Sequence, residues 1–209
     1  HRDLHSFPTR RSSDLYGSWN TKVASAWLTR SVGPVGALVA VDYSYSDNDF
    51  RYLDDNGTTY NPDDDEWVSR TNNQFRSTNV FARIASRSPQ KIRWDASYGL
   101  LLVRNHLPGN STLHAQESSA NLQTEQHLLD ASVGTQLPWL SEVDLQGYRS
   151  FRRDRYDDRF GQVGLGRQLT DDSTSTWGGR LTFATYRVTN TRLAIDASAQ
   201  QERFSPNER

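Results

Sequence analysis

The chain has 209 residues, with 24 Lys and Arg against 25 Asp and Glu and a formal net charge of −1. That balance gives no electrostatic reason for a nucleic-acid partner. With no Cys and no Met, disulfide frameworks, Cys-ligated zinc and thiol chemistry are excluded, and a chain lacking an initiator Met is expected to be a fragment or a processed piece.

Mean hydropathy is −0.80 and hydrophobic residues make up 34%. No run approaches the ~18–20 apolar residues that a membrane-spanning helix needs. Spanning strands stay open, because only their alternate residues meet lipid and their outer loops are polar. A soluble all-β chain or a partly disordered one fits the same figures.

Taken in order, the first segment is His1–Leu15, HRDLHSFPTRRSSDL. It has neither an apolar period nor the apolar core of a signal peptide. Residue for residue it resembles the in-frame translation of a common short-read sequencing adapter. It is therefore expected to be an artefact without ordered structure, so that His1 and His5 carry no chemistry. Tyr16–Arg30 reads as a strand with Trp19, Val23 and Trp27 on one parity, and Ser31–Pro34 as a tight turn.

The organising stretch runs from Val35 to Ile84 as strand, long polar loop, strand. In Val35–Leu53, Val35, Ala37, Val39, Val41, Tyr43 and Tyr45 share one parity, against Gly36, Leu38, Ala40, Asp42, Ser44 and Ser46. A period of two with one apolar face marks a half-buried strand. Asp54–Glu66, DDNGTTYNPDDDE, is too rich in Asp, Asn, Gly and Pro to continue it. Trp67–Ile84 returns, with Thr78, Val80, Ala82 and Ile84 alternating and Phe81 an exception. Ser86–Gln90 is a short turn.

The clearest strand follows: Ile92, Trp94, Ala96, Tyr98, Leu100 and Leu102 oppose Lys91, Arg93, Asp95, Ser97 and Gly99. A charged row of this kind suits a wet lumen or a solvent face; a dry core would make it prohibitively costly. Leu107–Ser119 is a second long loop. Ala120–Val133 returns, alternating from His127 through Leu129, Ala131 and Val133. Thr135–Leu140 is a turn. Val143, Leu145, Gly147 and Phe151 alternate with Glu142, Asp144, Gln146 and Arg152. Phe151–Ser175 reads mostly as a third long loop. Trp177, Gly179, Leu181 and Phe183 give a strand, Arg187–Asn190 a hairpin turn, and Leu193, Ile195, Ala197 and Ala199 the last strand. The sum is an all-β, antiparallel up-and-down meander of about eight long strands, with turns alternating short and long.

Several motifs carry a family resemblance. They are D-N-G-T at Asp55–Thr58, N-P-x-D-D at Asn61–Asp65, R-x-N-N at Arg70–Asn73, Y-G-S-W at Tyr16–Trp19 and H-L-P-G at His106–Gly109. In order and spacing they resemble the start of the barrel in TonB-dependent outer-membrane receptors, in the subgroup similar to vitamin B12 receptors. The resemblance covers residues 16–209 and implies an open fragment of a barrel of about 22 strands with a plugged lumen, its plug and C-terminal strands lying outside this stretch. It implies a place in the outer membrane of a Gram-negative bacterium and energised uptake of a scarce ligand, such as a metal–siderophore or a cobalamin-like chelate. Expected partners are that chelate, outer-membrane lipid or lipopolysaccharide, and the TonB complex acting through the plug. No covalent chemistry is expected. The rivals are a small self-contained barrel of structural or adhesive type, and an outer-membrane barrel enzyme.

Candidate chemistry is sparse. Asp54, Asp55, Asn56, Asp63, Asp64 and Asp65 supply hard oxygens of the kind calcium prefers, without the EF-hand spacing. The resemblance raises calcium because that ion orders outer loops in cobalamin-type receptors. By themselves the residues read as a solvated acidic loop tip. His106, His114 and His127 lie in no G-x-S-x-G or H-E-x-x-H context and read as loop or girdle residues. Arg149, Arg152, Arg153 and Arg155 stand beside Tyr156, Asp157 and Asp158, as a loop that meets an anionic ligand or lipopolysaccharide or neutralises itself. Tyr43, Tyr45, Trp67, Trp94, Tyr98, Trp139 and Trp177 read as an interface belt.

Overall fold

The computed structural model describes residues 9–58, 60–87, 92–109, 118–138, 141–188 and 191–207. The strands in chain order are β1 Thr9–Gly17, β2 Thr21–Val32, β3 Val35–Ser46, β4 Arg51–Asp54, β5 Glu66–Ser69, β6 Phe75–Ser86, β7 Ile92–His106, β8 Asn121–Leu137, β9 Ser141–Asp158, β10 Gln168–Val188 and β11 Thr191–Ser205. Nine form one antiparallel sheet in the order β1-β2-β3-β6-β7-β8-β9-β10-β11, and β4 and β5 pair apart as a two-stranded ribbon. The other regular element among the described residues is a 3-10 turn at Pro62–Asp64. Among the described residues no helix is long and apolar enough to cross a membrane.

Register makes the faces. Trp94 lies opposite Val133, Val133 opposite Leu145, Leu145 opposite Leu181 and Leu181 opposite Ala197. A second row joins Leu28, Val39, Ala82, Tyr98 and Leu129. The apolar parities read from separate strands thus merge into one band, interrupted where Arg149 stands between Leu129 and Trp177. On the other face Asp95, Ser132, Gln146, Arg180 and Ser198 form one row. A slip of one residue in any pair would send its apolar set to the polar side.

No layer covers that band. Among the described residues the buried apolar side chains are Ala120 and Ala184 alone. Val39, Leu102, Leu129, Leu145, Leu181 and Ile195 all stand exposed on it. Each large apolar side chain left bare forgoes about 1.5–3 kcal/mol of burial, against net domain stabilities of about 5–15 kcal/mol. Trp94, Tyr98 and Leu100 accordingly pack into no sealed interior. Lys91 and Trp139 lie outside the described residues.

The connections alternate. At one end lie the Gly33–Pro34 turn, where Gly33 has φ 55°, and the short connections after β6, β8 and β10. At the other lie the long connections after β3, β7 and β9, together with the turn between β1 and β2.

Several expectations are corrected. Tyr16–Arg30 is not one strand: the chain turns after Gly17, with Trp19 and Asn20 both at φ 54° and the Thr21 amide donating to Ser18 O at 3.1 Å. Val23 and Trp27 then fall on the polar face, because β2 pairs Leu28 with Val39 and Ala26 with Val41. Val35–Leu53 and Trp67–Ile84 are each broken. Asn48 and Asn72 adopt left-handed φ of 48° and 49°, and the ribbon between them leaves the main sheet. Phe151–Ser175 is mostly strand: β9 runs on to Asp158 and β10 starts at Gln168. The sheet therefore has nine strands rather than about eight. Its outer strand β1 reaches back to Thr9, pairing Thr9–Gly17 with Thr21–Thr29; the free backbone edge of β2 accepts an extended chain whatever its side chains.

Gly178 shows how tightly the sheet packs. A Cβ there would approach Ala199 O and the Tyr148 hydroxyl to 2.8 Å each, and Tyr148 Oη donates to Gln200 Oε1 at 2.9 Å. Gly178→Val is expected to destabilise the fold by about 1–3 kcal/mol, read as a lower urea midpoint for loss of β signal in circular dichroism.

Candidate functional site

The chemistry-bearing residues gather in three places: the polar face, the long-connection end, and the upper border of the apolar band.

On the polar face, opposite charges meet across strands. Arg83 pairs with Asp95 at 3.4 Å, Arg93 with Asp144 at 3.4 Å and Glu142 at 3.6 Å, and Arg192 with Glu142 at 3.6 Å. Gln146 donates to Asp130 Oδ2 at 3.0 Å, and Thr182 to Asp196 Oδ1 at 2.6 Å. Such half-exposed pairs contribute little individually. Together they make this face a charged, solvent-exposed surface. Asp144 Oδ1 sits where a Cβ on Gly134 would be, so a small residue makes room for the cross-strand carboxylate.

At the long-connection end the family-like motifs act as fasteners. The Asn48 amide donates to Asn73 O at 3.1 Å and the Asn73 amide returns to Asn48 O at 2.9 Å. The Asn72 amide donates to Leu107 O and Ala120 O, both at 2.8 Å, and its carbonyl meets His106 Nδ1 at 2.8 Å. Arg70 reaches Gly109 O at 3.1 Å and lies over the Tyr52 ring at 5.2 Å. R-x-N-N and H-L-P-G thus tie the first long connection to the second. The second meets the third where the Ser119 amide donates to Gln162 Oε1 at 2.8 Å. The third folds around the Asp158 carboxylate, which is 1% exposed. It accepts from the backbone amides of Gln162 at 2.7 Å, Val163 at 3.0 Å and Gly164 at 2.8 Å.

The six acidic-loop residues are turn-makers as placed. Asp54 is buried and its Oδ1 accepts from the Asn56 amide at 3.2 Å. Asp55 Oδ1 accepts from Gly57 N at 3.1 Å. Asn56, at φ 47°, donates to Asp64 O at 2.5 Å, while Thr58 Oγ1 donates to the Asp64 carboxylate at 2.8 Å. Asp63 falls in the 3-10 turn and Asp65 closes it. Among the described residues no three His, Cys, Asp or Glu side chains converge as metal ligands. The arrangement holds a turn.

The arginine run lies in strand β9, not a loop, and alternation splits it. Arg152 faces the polar side and pairs with Asp154 at 2.6 Å. Arg153 and Arg155 face the other side and share Asp171 at 2.6 and 3.0 Å. His127 lies on the apolar face, its Nδ1 2.8 Å from Tyr98 Oη and its Nε2 2.8 Å from Glu125 Oε1; no serine nucleophile joins that chain of contacts. His114 lies outside the described residues. Of the aromatic belt, Tyr43, Tyr45, Trp94, Tyr98 and Trp177 do sit on the band face, whereas Trp67 belongs to the β4–β5 ribbon and is 62% exposed.

Sequence patterning alone passed over Arg76 and Arg104. Each occupies the apolar parity of its strand, at the end nearest the long connections, and register sets them directly opposite one another. The signal was there: a cation where the alternation calls for an apolar residue.

No protein-family model and no curated protein matches this chain.

Two outcomes follow. Asn72→Ala removes one of two donors from each carbonyl, Leu107 O keeping Ser118 Oγ and Ala120 O keeping the Leu107 amide; it is expected to cost about 0.5–1.5 kcal/mol per bond lost, seen as faster hydrogen exchange at the His106 and Leu107 amides. Asp47 accepts from the Tyr45 hydroxyl and, at 2.7 Å, from the Asn20 amide, which together hold its carboxyl below the usual carboxylate range. A depressed carboxyl stabilises the fold above its unfolded value, and that stabilisation is lost as pH falls through the folded one. Protection of the Asp47 amide, bonded to Trp19 O, is expected to hold at pH 5 and fall below about pH 4.

Proposed function

We propose that residues 16–209 form part of the transmembrane β-barrel of a TonB-dependent outer-membrane receptor, in a Gram-negative outer membrane. One observation carries the membrane half of this reading: a largely apolar face, interrupted at Arg149 between Leu129 and Trp177 and bare of any covering layer among the described residues, backs onto a charged one. Lipid on one side and water on the other satisfy both. The alternation of short and long connections adds support, since outer-membrane barrels keep short turns on one side and long loops on the other. The receptor half rests on the family-like motifs, whose residues fasten the long connections together.

On this reading the polar face lines the lumen and meets the plug. The fastened long connections form the outer surface that receives a metal–siderophore or cobalamin-like chelate. The TonB complex moves the plug, and the barrel segment supplies no covalent chemistry. The sheet of residues 16–209 is then an arc of a larger cylinder, with β2 and β11 as its ends. A self-contained barrel would instead join those ends.

The reading is tested by a charge placed on each face of β7. Leu100→Arg is expected to cost about 2–4 kcal/mol on folding into lipid vesicles, while Ser97→Arg on the polar face stays within about 0.5 kcal/mol. Equal effects of the two substitutions would remove the membrane assignment. For the receptor itself, uptake of a labelled chelate by cells carrying the intact gene is expected to require TonB; TonB-independent uptake would count against it.

A further inference from the structure

We infer that His106 is an acid-released latch: its neutral imidazole helps to tie the first long connection to the second, and its protonation opens that tie. The ties lie beyond the apolar band, at the end of β7, so the latch does not depend on the membrane reading.

Asn72 fixes the tautomer. Its amide nitrogen is taken up as donor to Leu107 O and Ala120 O, both at 2.8 Å. Its carbonyl oxygen therefore faces His106 Nδ1, at 2.8 Å. Nδ1 carries the hydrogen, and in the neutral ring Nε2 is the bare nitrogen. A further proton goes to Nε2. It adds no bond to Asn72, and it leaves a full charge on a half-buried ring.

The surroundings oppose that charge. Arg104 stands two residues earlier on the same face of β7, and Arg76 on β6 lies directly opposite Arg104. Arg104 donates to Gln123 Oε1 at 3.3 Å and Arg76 lies 5.8 Å from the centre of the Tyr45 ring, contacts that leave both cations unneutralised. From the first connection Arg70 reaches in to Gly109 O at 3.1 Å. On β8 the residue opposite His106 is Asn121, which does not titrate, and beyond it Asp157 is matched by Arg159 at 2.6 Å. From the second connection Ser118, also without a titrating group, donates to Leu107 O at 2.7 Å. Among the described residues no carboxylate bonds to the imidazole. Burial, and after it Arg104 and Arg76, hold His106 below the ordinary histidine range.

Several bonds meet at the ring. The His106 amide donates to Gln74 O and the Leu107 amide to Ala120 O, both at 2.9 Å, beside the two carbonyls that Asn72 holds. A histidine held low stabilises the folded tie fully above its ordinary value, near about pH 6.5. That contribution is lost as pH falls from there through the folded value. In neutral medium the outer surface is assembled; in mildly acid medium the second connection parts from the first. The window lies above that of Asp47, whose contribution is lost only below about pH 4.

The test is hydrogen exchange at the Leu107 amide in the intact protein carrying this chain, between about pH 8 and pH 5, with rates corrected for intrinsic exchange and the Val80 amide of β6 as control. Wild-type Leu107 is expected to lose about threefold or more of its protection across that range, with Val80 unchanged. His106→Gln keeps an N–H for Asn72 but does not titrate, and its Leu107 protection should stay level. Arg76→Gln/Arg104→Gln, which leaves the imidazole in place, should move the midpoint up toward the ordinary histidine value. Level protection in wild type overturns the latch. So does a fall that persists in His106→Gln, or a midpoint that the arginine pair leaves unmoved.

Discussion

Because side chains alternate along a strand, the register of each pair decides which face every residue of the next strand will meet. Here the register runs unbroken from Leu28 through Val39, Ala82 and Tyr98 to Leu129, and from Trp94 through Val133 and Leu145 to Leu181. Eight independent alternations become one apolar surface only because these pairs agree. The same agreement brings Arg83 to Asp95 and Arg93 to Asp144 on the far side. Among the described residues neither face is closed by a further layer, so the stability of the sheet depends on what its two surroundings are.

The ends of the strands are treated differently from their middles. Turns at the short end need little: Gly33 supplies a positive φ and Val32 pairs straight across to Val35. At the long end the chain leaves the sheet for extended stretches, and side chains take over what the ladder no longer provides. Asn72 does this for two carbonyls at once, and Asp158 for three backbone amides. Residues that look like ligand-binding motifs are thereby engaged in building the surface that a ligand would meet.

Much of the fold was legible because a period of two survives wherever one face must be apolar. Ile92–Leu102, Val143–Gly147 and Trp177–Phe183 all fell on the face that their parity named. Patterning failed where the chain had a reason to break it. Gly17 and Asn20 open a turn inside what reads as one strand, and Asn48 and Asn72 turn left-handed within stretches that read as continuous arms. Phe151–Ser175 misled in the other direction, since a strand rising past the apolar band becomes charged on both faces and resembles a loop. The candidate site was less legible still. The acidic cluster is visible as composition, but the turns in which Asp54, Asp55 and Asp64 accept hydrogen bonds are not. The Arg76–Arg104 pair exists only across a register that no single strand encodes.

The central claim is that the two faces of the main sheet meet different solvents. The absence of Cys allows it to be measured without a background. Single cysteines placed in turn at each position from Ile92 to Leu102, spin-labelled, and reconstituted in bilayers report collision with lipid-soluble oxygen and with a water-soluble nickel chelate. The account predicts a strict period of two, with oxygen favoured at Trp94, Ala96, Tyr98 and Leu100 and nickel favoured at Arg93, Asp95, Ser97 and Gly99. Uniform access of the nickel chelate to both sets would contradict it.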